Sequence, residues 1–369
     1  MKNRVQSSRL HKPWGFFILG RMCHRRLVFA MGWSGILLWC LVLSVVLANG
    51  PESESMKRRQ QGILTGMPFM SNIAPRTFVD DLDRKLYLAK PPTRIVSLAP
   101  SITEILFAIG LDHEIVGVTD FCNYPPAALT KPKVAYSQPN LEAVVALQPQ
   151  LVLAPESFLR ADLLDKLDQL KIPTFIMESH SVEGIFSHMQ VLGRMLGRSP
   201  QANEQAARLR QEVAHLTQQL EGQPRPTLLY VLNSNPLMTV GPGSFIHHLF
   251  ELAGARNAAE RADAPYPRLT MEEVLKQNPD ILLFPVGEHE AIPQADQDAW
   301  KRWDSLNAVR QGRLVQIRSD LLNRPGPRVV EALKALVQLI HPELSLTERP
   351  EHAVKSQSPS APPTYSPPQ

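Results

Sequence analysis

One pattern occurs twice in this chain. Asn140-Leu-Glu-Ala-Val-Val-Ala-Leu-Gln-Pro-Gln-Leu-Val-Leu-Ala-Pro155 aligns without a gap on Thr270-Met-Glu-Glu-Val-Leu-Lys-Gln-Asn-Pro-Asp-Ile-Leu-Leu-Phe-Pro285. Each copy opens on a capping residue (Asn140, Thr270) and carries a glutamate two positions on (Glu142, Glu272). A valine follows (Val144, Val274), then a helix-ending proline (Pro149, Pro279) and an apolar run. A separation of 130 residues is too long for a solenoid. The pattern predicts two similar α/β lobes, each built around one copy.

Short apolar runs alternate with amphipathic stretches on either side of these copies. Ile95–Ala99, Ile115–Val118, Leu151–Ala154, Thr174–Met177, Leu228–Leu232, Ile281–Phe284 and Leu314–Ile317 read as buried strands. Helical patterns between most of them predict an α/β chain with mainly parallel sheets. Ser101-Ile-Thr-Glu104 has capping-box spacing and opens a helix that Gly110 ends. One long helix breaks the alternation. Ser199 and Pro200 supply its cap and first position, and Leu209, Val213, Leu216 and Leu220 recur at spacings of three and four. Gly222 and the prolines at 224 and 226 stop it. The expected architecture is α/β: two Rossmann-like lobes, 77–198 and 223–346, bridged by one long helix within 199–222.

The formal charge of +4 is unevenly placed. Residues 1–26 hold seven of the 39 Lys and Arg residues and no acid, which leaves 32 bases against 35 acids thereafter, net −3. Nucleic-acid binding, which needs cations clustered on the folded part, is thereby excluded. Leu27 to Ala48 is uncharged, long enough for a helix to cross a hydrocarbon core of about 30 Å. The basic flank before it and Glu52 and Glu54 after it put the N-terminus in the cytoplasm and the bulk of the chain outside. Residues 27–49 are therefore expected to anchor the chain in the membrane, or to be a signal segment cleaved near Leu47-Ala-Asn-Gly50. A polar linker at 50–76 and a disordered Pro- and Ser-rich tail at 347–369 complete the organisation. Cys23 and Cys40 belong to the leader, so Cys122 has no partner for a disulfide in the exported part.

Enzymatic motifs are missing from the sequence: there is no Gly-x-Ser-x-Gly elbow, Walker loop, His-Glu-x-x-His or Cys-x-x-Cys. Gly241-Pro-Gly243-Ser244 is too short for a P-loop and reads as a turn with a helix cap. His247 and His248 are adjacent on a helix, about 100° apart, and cannot share a metal from one face. A metal-dependent exported enzyme would have to draw on His180, His188, His247 and Asp320, whose spacing has no ligand logic. No catalytic residue and no metal site is assigned.

An acid in a first helical turn relieves the helix dipole by about 0.3–1 kcal/mol, which accounts for Glu142 or Glu272 singly. Their recurrence at one repeat position also fits a partner with two matching cationic points. Arg324-Pro-Gly-Pro-Arg328 offers fork-shaped donors, either for surface salt bridges or for a ligand at a cleft.

Five motifs stand in order: Arg94-Ile-Val-Ser-Leu-Ala-Pro-Ser-Ile-Thr-Glu104, Tyr124-Pro-Pro, Asn140-Leu-Glu142…Pro149, Gly243-Ser-Phe-Ile246…Leu252-Ala-Gly254 and Arg324-Pro-Gly-Pro-Arg328. Over about residues 77–345 the chain resembles the helical-backbone class of ABC-transporter substrate-binding proteins, and within it the cobalamin-binding members. The resemblance implies a monomeric, non-enzymatic, extracytoplasmic receptor that hands its ligand to a membrane permease and its ATPase. It implies ligand contacts from Phe121, Tyr136 (or Ser137, the loop being one residue shorter), Met238 and Tyr266, with Asp320 and Arg324 as polar neighbours, and permease docking through Glu142 and Glu272. Departures keep haem or an iron–siderophore open as ligands: Pro155 stands where a tryptophan is expected, and the family's disulfide is absent.

Overall fold

The repeated pattern reappears as repeated topology. A computed structural model describes residues 76–135, 140–156 and 161–346. The expected anchor at 27–49, the linker up to residue 75, Tyr136, Ser137 and the tail at 347–369 lie outside the described residues. Among the described residues no helix is long and apolar enough to cross a membrane.

An antiparallel hairpin, β1 (Arg76–Val79) and β2 (Lys85–Leu88), leads into the first lobe. That lobe runs β3 (Ile95–Ser97), α1 (Pro100–Ala108), β4 (Ile115–Val118), α2 (Leu141–Ala146), β5 (Leu151–Ala154), α3 (Ala161–Gln169), β6 (Thr174–Ile176) and α4 (Val182–Met195). After α5 (Ser199–Gln218) the second lobe opens with β7 (Thr227–Tyr230), the short hairpin β8 (Asn233–Ser234) and β9 (Leu237–Met238), and α6 (Phe245–Leu252). It continues with β10 (Arg256–Asn257), α7 (Met271–Gln277), β11 (Ile281–Val286), α8 (Gln294–Ala299) and α9 (Asn307–Arg310). β12 (Leu314–Arg318), α10 (Ser319–Leu322) and α11 (Val329–Ile340) close it. Both four-stranded sheets are wholly parallel, in the orders β4-β3-β5-β6 and β10-β7-β11-β12. Counted from each lobe's own first strand, the two orders are the same.

The repeat holds down to single dihedral angles. The Asn140 side chain accepts from Ala143 N and that of Thr270 from Glu273 N, each opening its helix. Gln148 and Asn278, directly before the paired prolines, both take left-handed φ values, 47° and 44°. A residue before proline is pushed out of the right-handed α region, and the two helices end within one residue of the same repeat position. Leu151 and Ile281 then begin β5 and β11.

The structure departs from the sequence reading at the start of α1. Ser101 does not cap: the N-cap is Ala99 with no side-chain bond, and Pro100 holds the first helical turn. Glu104 is buried and turned towards arginines of the second lobe, a stronger partnership than a backbone N–H. At α5 the N-cap is Arg198, one residue earlier than expected, with Ser199 already helical. The two-residue strand β10 went unread because so short a run carries no periodicity.

α5 packs on α4 from the first lobe and α11 from the second. Its buried face is Ala202, Ala206, Leu209, Val213 and Leu216. Small residues let it approach α4 closely: a Cβ on Gly193 would sit 2.3 Å from the Ala202 methyl, so only glycine fits. One apolar cluster takes in Ile95 and Leu153 of the first sheet, Leu228 and Leu283 of the second, and the inner faces of α4, α5 and α11. The two sheets therefore share one continuous core.

Candidate functional site

Parallel sheets bind ligands beyond the carboxyl ends of their strands, and here the ends of both sheets open on one cavity of about 550 Å³. From the first lobe come Pro100 and Ser101 after β3, Phe121 and Asn123 after β4, Pro155 after β5, and Glu178 and Ser179 after β6. From the second come Phe245 and Ile246 of α6, Tyr266 after β10, Gly287 to Glu290 after β11, and Arg318 to Pro325 in part after β12. Every strand of the two four-stranded sheets thus contributes through its following segment.

The cavity wall carries four acids, Glu178, Glu288, Glu290 and Asp320, against two arginines, Arg318 and Arg324. Both arginines already have protein partners. Arg318 donates to Asp320 at 2.7 Å and 3.1 Å. Arg324 donates to Asn123 Oδ1 at 2.8 Å and the Phe121 carbonyl at 3.1 Å, and reaches Glu104 at 3.4 Å. Burial opposes ionisation of Asp320, but the hydrogen bonds and charges of Arg318 and Arg328 outweigh it and hold its carboxyl below the usual range. Phe121 forms an apolar wall with His289, their ring centroids 4.2 Å apart. Tyr266 is half exposed, and burial together with the charge of Glu178 pushes its hydroxyl pKa up.

At one side of the cavity a buried ionic network joins the lobes. Glu104 of α1 accepts from Arg328 at 2.6 Å and 2.9 Å. Arg328 also donates to the Asp320 carbonyl and lies 4.3 Å over the Tyr124 ring. The side chains of Glu104 and Arg328 are 2% and 7% exposed. Burial pushes the Glu104 carboxyl up against the pull of both arginines, while Glu104 and Asp320 overcome the burial of Arg328 and keep it charged. Three sequence motifs therefore meet in one network: those around Glu104 and Tyr124, and Arg324–Arg328 some two hundred residues further on.

The family model for periplasmic binding proteins matches residues 95–321. The chain belongs to the periplasmic binding protein family. A vitamin B12-binding protein of Vibrio cholerae is 32% identical over 252 residues, covering 67% of this chain and 89% of that protein. The crystal structure of the Vibrio cholerae periplasmic vitamin B12 binding protein is 29% identical and covers 68% of this chain and 97% of that one, with a TM-score of 0.61. A periplasmic heme binding protein of Pseudomonas aeruginosa is 25% identical, covers 70% of this chain and 96% of that one, and has a TM-score of 0.62.

Within this periplasmic binding protein the residues singled out by sequence divide. Phe121, Tyr266, Asp320 and Arg324 line the cavity together. Met238 is not among its lining residues; it pairs with Asn233 in the β8–β9 hairpin and bridges to Arg268. Sequence reading missed Ser179, Phe245, Ile246, His289 and the acids Glu178, Glu288 and Glu290. Their shared signal is position: each falls a few residues past the end of a strand or at the first turn of a helix facing the same end. Gly243 (φ +85°) and Ser244 form the expected turn and cap, with Ser244 Oγ accepting from His247 N.

Glu142 and Glu272 are exposed in the first turns of α2 and α7. The capping box of α7 is closed by Glu273, which accepts from Thr270 N at 2.7 Å, so Glu272 is left facing solvent. Three of the four loose metal candidates are engaged in separate places: His188 bonds Ser179 and Asp81, His247 bonds Asn257, and Asp320 bonds arginines. Among the described residues no three His, Cys, Asp or Glu side chains are grouped to hold a metal ion.

Proposed function

We propose that this protein is the substrate-binding component of an ABC importer that holds a cobalamin-like corrinoid in the interlobe cavity. The observation that carries the ligand class is the excess of carboxylates on the cavity wall, with both wall arginines already paired inside the protein. A corrin is rimmed by amide groups that donate hydrogen bonds to carboxylates. Haem carries propionates, which such a wall repels and which need free cations. Phe121 and Tyr266 would serve as apolar and aromatic walls for the ring system.

On this reading Glu142 and Glu272 dock on cationic side chains of the permease, one per lobe, and an N-terminal anchor at 27–48 keeps the receptor at the outer face of the membrane. The shared core and the buried Glu104–Arg328 pair favour a receptor whose lobes move little on binding. Calorimetric titration of the purified chain with cyanocobalamin is expected to give saturable binding at micromolar concentration or below. No heat with cyanocobalamin, and binding of haem or a ferric siderophore in its place, would sink the corrinoid assignment. Haem is the second reading, favoured by the likeness to the Pseudomonas aeruginosa protein and by the His289 imidazole on the cavity wall.

A further inference from the structure

Ser179 lines the cavity but is buried, and a chain of hydrogen bonds runs from it away from the ligand. Its Oγ lies 2.8 Å from Nδ1 of His188, a buried residue of α4, and His188 Nε2 lies 2.8 Å from Asp81 Oδ2. Asp81 sits in the turn between β1 and β2. The same carboxylate oxygen accepts the Glu178 N–H at 2.7 Å, and Asp81 N donates to the Ile176 carbonyl at 3.2 Å. The turn is thus fastened to the end of β6, where Glu178 and Ser179 enter the cavity.

The polarity of this chain follows from its far end. Burial disfavours the charged form of Asp81, but the hydrogen bonds from His188 and Glu178 work against it and the carboxyl lies below its ordinary value. An ionised carboxylate only accepts, so His188 donates through Nε2, and a singly protonated ring is then left with Nδ1 as an acceptor. The Ser179 hydroxyl proton is then committed to Nδ1, and its lone pairs are what it can offer the ligand.

We propose that Asp81, His188 and Ser179 form a positioning relay that presents Ser179 Oγ to the cavity as a hydrogen-bond acceptor, selecting ligands that carry N–H donors such as side-chain amides. The ligand class rests on the corrinoid reading above; the polarity of the relay does not. Asp81→Ala is the informative variant, because it removes the one oxygen that meets both His188 Nε2 and Glu178 N, and the imidazole is no longer held to a proton on Nε2. The proton can then sit on Nδ1, where Ser179 Oγ accepts from it and keeps its own proton free for the ligand.

In the full chain labelled with 15N at histidine, with the His188 signals identified by their loss in His188→Gln, we expect Nε2 protonated and Nδ1 bare at neutral pH. In Asp81→Ala the proton should no longer be confined to Nε2 and should appear on Nδ1, a change that a merely structural contact would not produce. A proton on Nδ1 in the wild-type chain would overturn the proposal. Ser179→Ala and Asp81→Ala should each weaken cyanocobalamin binding about five- to tenfold by calorimetry, the worth of one buried hydrogen bond; unchanged affinity in both would overturn the acceptor role. Wild-type protein that does not bind cyanocobalamin would remove the corrinoid reading instead, leaving the relay to be decided by the nitrogen protonation alone. The Ser–His–Asp order is also that of an acyl-transfer triad, and hydrolysis of p-nitrophenyl acetate lost in Ser179→Ala would replace the relay with a nucleophile.

Discussion

The two lobes have one topology and different chemistry. Each has four parallel strands in the same order, a capped helix before its third strand, an exposed glutamate in that helix and a left-handed residue before a proline. At the cavity they diverge. The first lobe contributes the buried acid Glu104 and the Ser179–His188–Asp81 chain, while the second contributes Arg324, Arg328 and three of the four wall acids. The repeat maintains the scaffold and the segments after the strands differ, because sheet packing demands the same residues of both lobes and the cavity does not. The only interlobe ionic network described above uses an acid from one lobe and bases from the other.

The most severe way to break this division of labour is to remove one side of the network. Glu104→Ala leaves the Arg328 guanidinium buried without its main partner and should cost about 3–5 kcal/mol of stability in denaturant unfolding, with Arg328→Ala similar. A loss under about 1 kcal/mol would mean that water reaches the pair and that it does not join the lobes. The symmetric half of the comparison is tested next. Glu142→Ala and Glu272→Ala should each weaken capture by the reconstituted permease about tenfold and leave cyanocobalamin affinity unchanged. Strongly unequal effects would show that one lobe dominates docking.

Smaller effects separate the two repeat helices. Thr270 both accepts from Glu273 N and has its own N–H bonded by Glu273, whereas Asn140 makes the single bond to Ala143 N. Thr270→Ala should therefore lower stability by about 1 kcal/mol and Asn140→Ala by about half of that, read as shifts in unfolding midpoint. The least of these effects is confined to acid. The carboxyl of Asp81 lies below its ordinary 3.8 in the folded chain, so its stabilisation is present above that pH and is lost as pH falls through the folded value. Asp81→Asn should flatten the acid limb of stability below about pH 4. An unaltered acid limb would mean that the β1–β2 turn is not held to β6 by this charge.

Much of the frame was legible in the sequence for a physical reason: its signals are local. Proline and glycine stops, three- and four-residue spacings and buried apolar runs act within a turn or a strand, so α5, β4, β5 and both repeat helices lie close to where these signals put them. The same locality misleads at Glu104. Its distance from Ser101 reads as a capping box, and only the fold brings Arg328, 224 residues away, to compete for the carboxylate. His188 looks isolated in sequence because Asp81 is 107 residues away.

The sequence by itself determined the two-lobed α/β frame, its duplicated helices and the pair of exposed glutamates, since each depends on residues within one or two turns of one another. Only the tertiary structure decided which side chains meet at the cavity, that its arginines are already engaged, and that Ser179 is backed by an imidazole and a carboxylate. Arg324 with Asn123 and His188 with Asp81 join residues that chain order keeps far apart. A charge or a hydroxyl takes its role from the partner that folding brings within about 3 Å.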